Sequence, residues 1–239
     1  LILFWQSMHN GRIIKGGWSV CTIKYQISHD YGKTWDDWKF LRRMWFMVIR
    51  CRPLVTKDKK FILPIHREMG KYCSCFYIGN DPEFNQLPKI KSKIKARNTG
   101  LLEPCILESN GGELICLMRS SNVKRIHIAR SNDNGLNWSA PKPIKLPNPN
   151  SQVDAITLNN GDILLAFNNQ EQGRTNLSVA LSNDNCESWQ VIKTLFEDEK
   201  RTFHYPSLLQ TEDDLIHLTY TDNRERIGYC KFNLDYLLS

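Results

Sequence analysis

The chain has 239 residues, 41% hydrophobic and 24% charged, which fits an ordinary globular protein with one large all-β domain or two small ones. It holds no run of about 18 apolar residues to span a membrane, and residues 1–4 are too short for a signal-peptide core. The net charge of +7 is compatible with nucleic acid, anionic lipid or an anionic glycan as partner. No Lys/Arg run with interleaved aromatics stands out, which argues against nucleic acid, and the densest basic stretch, 89–97 (KIKSKIKAR), reads as a solvated loop.

In chain order, apolar strands over 1–7 and 21–27 lead into Ser28 to Trp35 (SHDYGKTW), a copy of the pattern S-x-D-x-G-x-x-W. Strands over 60–65 and 72–78 precede a decayed copy, Gly79 to Asn85 (GNDPEFN). Strands over 113–118 and 125–129 lead to Ser131 to Trp138 (SNDNGLNW). Strands over 162–167 and 176–181 lead to Ser182 to Trp189 (SNDNCESW), and strands over 215–220 and 226–232 follow. All are rich in β-branched and aromatic residues and are bounded by Gly, Asn, Asp and Pro. The aspartates at 30, 81, 133 and 184 stand 51, 52 and 51 residues apart.

The repeated motif reads as a hairpin turn. Its Ser and Asp oxygens accept backbone N–H bonds, its Gly supplies positive φ, and its Trp packs beneath. Its role is therefore structural, and Cys186 in place of the Gly predicts a distorted last turn. About four short strands per 51 residues predict a β-propeller. A β-sandwich is the competing all-β fold, but it needs no such strict period. The chain opens on Leu1 and not Met, so its natural N-terminus is expected upstream.

The same period selects a second set. Arg52-Pro53, Glu103-Pro104, Asp154-Ala155 and Tyr205-Pro206 are each 51 residues apart, and each begins a run that reads as an innermost strand. The starts of such strands converge on a propeller's central channel. Sixteen residues beyond the first two positions stand Glu68 and Arg119. The plain alternative is that strand starts are polar because they lie near solvent. His204 and His217 read as structural. The eight cysteines form no zinc-spaced pair and read as reduced core residues. No His/Cys cluster has metal spacing and no Gly-rich phosphate loop is present, so neither metal nor cofactor is expected.

The boxes on this spacing resemble the Asp-box (BNR) repeat branch of the sialidase, or neuraminidase, superfamily. Three more stretches carry the resemblance: Pro147 to Asp154 (PNPNSQVD), Arg174 to Ser182 (RTNLSVALS), and Tyr205 to Thr211 (YPSLLQT) with His217 to Thr221 (HLTYT). It implies a six-bladed propeller of which 1–239 is one incomplete domain of four to five blades. The first blade and one inner strand are then missing, leaving unpaired edges. It also implies a Tyr nucleophile, an exception among glycosidases. Tyr205 and Glu103 resemble the nucleophile and its base, and Arg119 and Arg174 resemble two of three arginines that hold the substrate carboxylate. The third arginine and the acidic Asp belong to the family's first blade. Arg52, Asp154, Glu68 and Asn150 are candidates for sugar hydroxyls. Arg224 is a candidate for substrate or for bracing the last blade.

Three functions follow as expectations: an exo-glycosidase of sialidase type acting on an acidic glycan, a related glycosidase or lyase acting on another acidic polysaccharide, and a non-catalytic glycan-binding propeller. Fold alone does not choose among them. Without the first blade, the fragment by itself is expected to be inactive.

Overall fold

The computed structural model describes residues 1–8, 20–42, 46–81 and 89–239. Its strands form five antiparallel sheets in chain order. The first sheet is β1 (Ile2–Met8), β2 (Cys21–Ile27) and β3 (Lys39–Arg42). The second begins with two short pieces, β4 (Met47–Val48) and β5 (Leu54–Val55), both paired to β6 (Phe61–Arg67), then β7 (Cys73–Gly79) and β8 (Lys89–Ile94). The third is β9 (Leu101–Glu108), β10 (Leu114–Ser120), β11 (Arg125–Ser131) and β12 (Lys142–Pro147). The fourth is β13 (Asp154–Thr157), β14 (Ile163–Phe167), β15 (Asn176–Ser182) and β16 (Gln190–Glu197). The fifth is β17 (Phe203–Gln210), β18 (Ile216–Asp222) and β19 (Arg226–Phe232), followed by a short helix, α1 (Leu234–Leu238), which the sequence pattern does not signal.

This is a β-propeller with five blades, not six with the first absent. A period near 51 leaves room for five sheets in this length, and the resemblance alone supplied the sixth. Strands pair in chain order within each sheet, except that β4 reaches past β5 to β6, so each sheet is one repeat. Two-sided burial explains why the middle strands read as continuous apolar runs: six of the seven residues of β6 and of β7 are buried, as are all five of β14. The core is divided accordingly into four clusters, one between each pair of successive sheets. Ile23, Leu63 and Cys75 centre the first, and Leu177, Leu208 and Ile216 the last. The basic stretch expected as a loop is instead the outermost strand β8, with Lys89, Lys91 and Lys93 on its exposed face and Ser92 and Ile94 turned inward. All eight cysteines are unpaired, and seven are buried.

The turn motifs form as their residues dictate. In the third box Ser131 Oγ accepts the Gly135 N–H at 2.9 Å, and Asp133 accepts the Asn137 backbone N–H at 2.8 Å and side-chain amide at 2.7 Å. The first and last boxes repeat these bonds with Ser28/Asp30 and Ser182/Asp184. The turn at Cys186 is not distorted: Cys186 takes a φ of 67° and donates the same N–H to Ser182. The decayed copy lies partly outside the described residues, at 82–85. Hydrogen bonds hold Asp30 and Asp184 down at about 2. The boxes' contribution to stability is therefore intact above the ordinary carboxylate range and is lost as pH falls through about 2. Asp133→Ala, which removes three such bonds at one turn, is expected to cost about 2 kcal/mol in urea unfolding.

The period also sets contacts between blades at the face opposite the inner-strand starts. The Lys57 N–H donates to Glu108 Oε2 at 2.9 Å, and two periods on the Asn159 N–H donates to Gln210 Oε1 at 2.8 Å. Such bonds fix each sheet's angle to the next, and so fix what the inner strands present. Among the described residues no helix is long and apolar enough to cross a membrane.

Candidate active site

The four in-phase inner-strand residues fall into two geometric classes. Glu103 and Tyr205 occupy matching β-bulges. Pairing jumps from Cys105–Leu117 to Leu102–Arg119, which sets Glu103 and Pro104 opposite the single residue Met118. On the fifth sheet it jumps from Ser207–Thr219 to His204–Thr221, which sets Tyr205 and Pro206 opposite Tyr220. Both bulged residues are left-handed, with φ of 50° at Glu103 and 51° at Tyr205. A residue before proline is driven toward extended backbone, so each conformation stores roughly 1–3 kcal/mol of strain. The following proline has no N–H, so neither bulge orphans a donor there. Bulges of this kind re-aim a side chain.

Asp154 and Arg52 form the second class. Asp154 pairs regularly with Ala166, and its carboxylate is buried and occupied. One oxygen accepts from both the Arg52 guanidinium and the Leu208 N–H (2.7 Å), and the other takes the Cys105 thiol at 3.4 Å. Three sheets besides its own thus meet on one carboxylate. Burial pushes that carboxyl above its ordinary range despite the Arg52 cation, while at Arg52 burial, which lowers the guanidinium, is overcome by Asp154, Cys105 and Cys51 together, and its value is raised. In this position Asp154 clamps the centre of the propeller.

Around the bulges stand the arginines. Arg119, on β10, faces Glu103 with Nε 3.0 Å from Oε2, off the line of a hydrogen bond, so both atoms are buried without one. Its other donor reaches the Asn150 carbonyl oxygen at 3.1 Å. Arg174, just before β15, donates to the same oxygen at 2.8 Å and to His204 Nδ1 at 2.7 Å. Asn150 adopts a φ of 60° and is the bracket that holds the two guanidinium groups side by side. The Asn150 backbone does this work, whereas its side-chain oxygen is buried without a partner. Burial lowers Arg174 from its ordinary value, the Tyr205 hydroxyl and Glu103 opposing the shift and Arg119 adding to it. Glu103, Arg119, Asn150, Arg174 and Tyr205 thus form one interacting group, drawn from the third, fourth and fifth sheets.

The remaining candidates surround it. Glu68 lies against His66, Nε2 to Oε1 at 3.0 Å. Burial and Glu68 push the Cys21 thiol up to about 11, against the pull of Arg50, so both charges are felt at that thiol. Arg224 is exposed on the turn from β18 to β19, and its charge reaches His204.

Two residues escaped the sequence reading. Arg50 stacks on Tyr205, its guanidinium carbon 5.0 Å from the ring centroid. It lies two residues before the in-phase Arg52, where the period alone gives no signal. His204, read as structural, contacts Arg174 directly. Among the described residues no group of His, Cys, Asp and Glu is arranged to hold a metal ion. Three guanidinium groups stand around one phenol and one carboxylate, a set of groups with the chemistry to hold an anion and to move a phenol proton.

The BNR repeat-like domain family matches residues 2–218 of the chain. No curated protein matches it. Similar solved structures include the K499G mutant of the NanB sialidase of Streptococcus pneumoniae (18% identity, TM-score 0.70, 90% of this chain and 36% of that one). The intramolecular trans-sialidase of Ruminococcus gnavus, in complex with oseltamivir carboxylate, is similar at 20% identity and TM-score 0.70, over 92% and 52% of the two chains. The α-L-arabinofuranosidase Arb93A of Fusarium graminearum is similar at 17% identity and TM-score 0.54, over 74% and 56%. The chain spans between 36% and 56% of the lengths of these structures.

Proposed function

Because the chain belongs to the BNR repeat-like domain family, a sialidase-superfamily propeller, we propose that it acts within a retaining exo-glycosidase that removes terminal acidic sugars, of the sialic acid class, from glycans. The observation that carries this reading is the group at the channel: the Tyr205 hydroxyl and the buried Glu103 share their surroundings with Arg119 and Arg174, and Arg50 lies on the Tyr205 ring. A carboxylate nucleophile would be repelled by an acidic substrate, whereas a neutral phenol is not. Relatives in fold include sialidases, and their likeness supports the reading at the level of glycosidase chemistry.

In this reading Arg119, Arg174 and Arg50 hold the sugar carboxylate, the first two locked in parallel by Asn150. Tyr205 attacks the anomeric carbon, and Glu103 takes the phenol proton as the new C–O bond forms and the glycosidic bond breaks. Water then cleaves the tyrosyl sugar: its hydroxyl joins the anomeric carbon as the C–O bond to Tyr205 breaks, its other proton passes through solvent to the departed oxygen, and the Glu103 proton returns to the phenolate. No described residue is assigned as donor to the leaving oxygen. Glu68 and the side chains of Asn150 and Arg224 contact the rest of the glycan. Arg52 and Asp154 brace the channel floor, and residues 1–239 act as one domain.

The test is turnover of matched aryl glycosides by the natural full-length protein. An α-sialoside is expected to be hydrolysed, while an α-L-arabinofuranoside is not. Release of a sugar with a new ultraviolet-absorbing double bond from a uronate polymer would instead make the protein a lyase, and saturable binding without turnover would make it a glycan-binding propeller. Glu103→Gln is expected to lower kcat roughly 10²- to 10⁴-fold with little change in KM, read by steady-state kinetics.

A further inference from the structure

His204 is the one buried histidine of the described chain in direct contact with a member of this group. Its ring is 3% exposed, lies on β17 between Phe203 and Tyr205, and is within 30° of parallel to the Tyr205 ring at 5.9 Å. The contact with Arg174 fixes its chemistry. A guanidinium has only donors, so the 2.7 Å approach to Nδ1 requires the Nδ1 lone pair to accept. The proton of the neutral ring is then on Nε2, which is buried without a partner. Packing gives no reason for that arrangement. An empty buried donor costs stability, and a phenyl ring of similar shape would stack on Tyr205 without that cost. The cost is explained by what the other nitrogen does.

We propose that His204 is a positioning residue: as a neutral imidazole it aims the Arg174 guanidinium, through Nδ1, at the carboxylate of an acidic sugar, and it releases that arginine when protonated. The inference rests on the functional reading above for the ligand, and on the His204–Arg174 contact alone for the coupling. Arg174 is held on two sides, by the Asn150 carbonyl and by Nδ1, which leaves its direction no freedom. Protonation would set an N–H against an N–H and turn the contact repulsive. Four groups face the ring, and the two charged ones favour its neutral form. They are Arg174 from the segment before β15, Arg224 from the turn after β18, the Tyr205 ring from its own strand, and Thr221 opposite it in the ladder. Burial and the two arginines lower the imidazole to about 4. A base lowered in this way keeps its neutral-state contact throughout the neutral range and loses it as pH falls through about 4.

Two measurements test the proposal. Nitrogen chemical shifts of the histidine-labelled protein are expected to show the His204 Nε2–H tautomer unchanged from about pH 8 down to about pH 5, where an ordinary histidine is mostly protonated. In kinetics with an aryl α-sialoside, His204→Phe is expected to raise KM roughly 10- to 100-fold with a smaller change in kcat. His204→Gln, whose amide oxygen accepts from Arg174 but does not titrate, is expected to restore KM to within a few-fold and to remove the acid limb in which wild-type KM rises. A cationic or Nδ1–H ring at neutral pH overturns the proposal, as does a His204→Gln variant as impaired as His204→Phe. Wild-type protein that binds no acidic sugar, yet shows the Nε2–H tautomer, overturns the ligand reading and leaves the His204–Arg174 coupling standing.

Discussion

Tyr205→Phe is expected to lower kcat for an acidic aryl glycoside by about 10³-fold or more while leaving the thermal midpoint within a degree or two. The substitution removes one oxygen, and with it the atom proposed to bond the anomeric carbon. Losing a covalent step of this kind costs far more than losing a hydrogen bond: tenfold in rate is only about 1.4 kcal/mol of barrier. The phenyl ring keeps what the structure uses for packing, namely the stack on His204 and the face under Arg50. It also keeps the left-handed φ before Pro206. Substrate affinity is expected to change little, because the arginines and not the phenol hold the carboxylate. A variant that retains a tenth of the activity would remove Tyr205 from the chemistry.

The second large effect is on stability. Asp154→Ala is expected to destabilise the protein by roughly 3–5 kcal/mol, the scale for removing one partner of a buried ion pair. The loss leaves the Arg52 cation and the Leu208 N–H facing an emptied site, and deprives the buried Cys105 thiol of its acceptor. For a chain of this length that lowers the thermal midpoint by roughly 6–20 °C. Asp154→Asn keeps the shape and an oxygen for Leu208 but not the charge, and should fall between. Calorimetry of the two variants separates this bracing role from a sugar-binding one, which would raise KM with the midpoint unmoved.

How the fold could be read in the sequence follows from the period. A blade cannot bury its faces alone, so the same residue types must recur at the same place in each repeat. Asp30, Asp133 and Asp184 recur because each closes the same turn with the same side-chain oxygens. The in-phase positions 52, 103, 154 and 205 are legible for the same reason. What the period does not carry is the local departure from it. Glu103 and Tyr205 bulge while Asp154 stays in register, and only their following prolines hint at the difference. Arg50 escaped because its value lies in reaching across from the second sheet to the fifth, a distance the repeat does not encode. The bracketing of two arginines by Asn150 is not legible in the sequence, since a backbone carbonyl carries no residue signature. Lys89 to Lys93 looked like a solvated loop because an outermost strand needs only one buried face, and charge dominates its composition. Cys186 looked unfit for its turn because positive φ favours glycine. The Ser182 and Asp184 bonds impose the conformation, and the thiol is buried in the core between the third and fourth sheets.

The central claim is that Tyr205 forms a covalent bond to an acidic sugar. Fluorination beside the anomeric carbon slows the second step more than the first, so a difluorinated sialic acid bearing a good leaving group should accumulate as the glycosyl protein. Trypsin cleavage after Arg201 and Arg224 releases one peptide that contains both Tyr205 and Tyr220, and fragmentation distinguishes them. A single added sugar is expected on Tyr205, absent from Tyr205→Phe. An adduct on Glu103 or on any other residue, or rapid turnover of the reagent with no adduct, would contradict it.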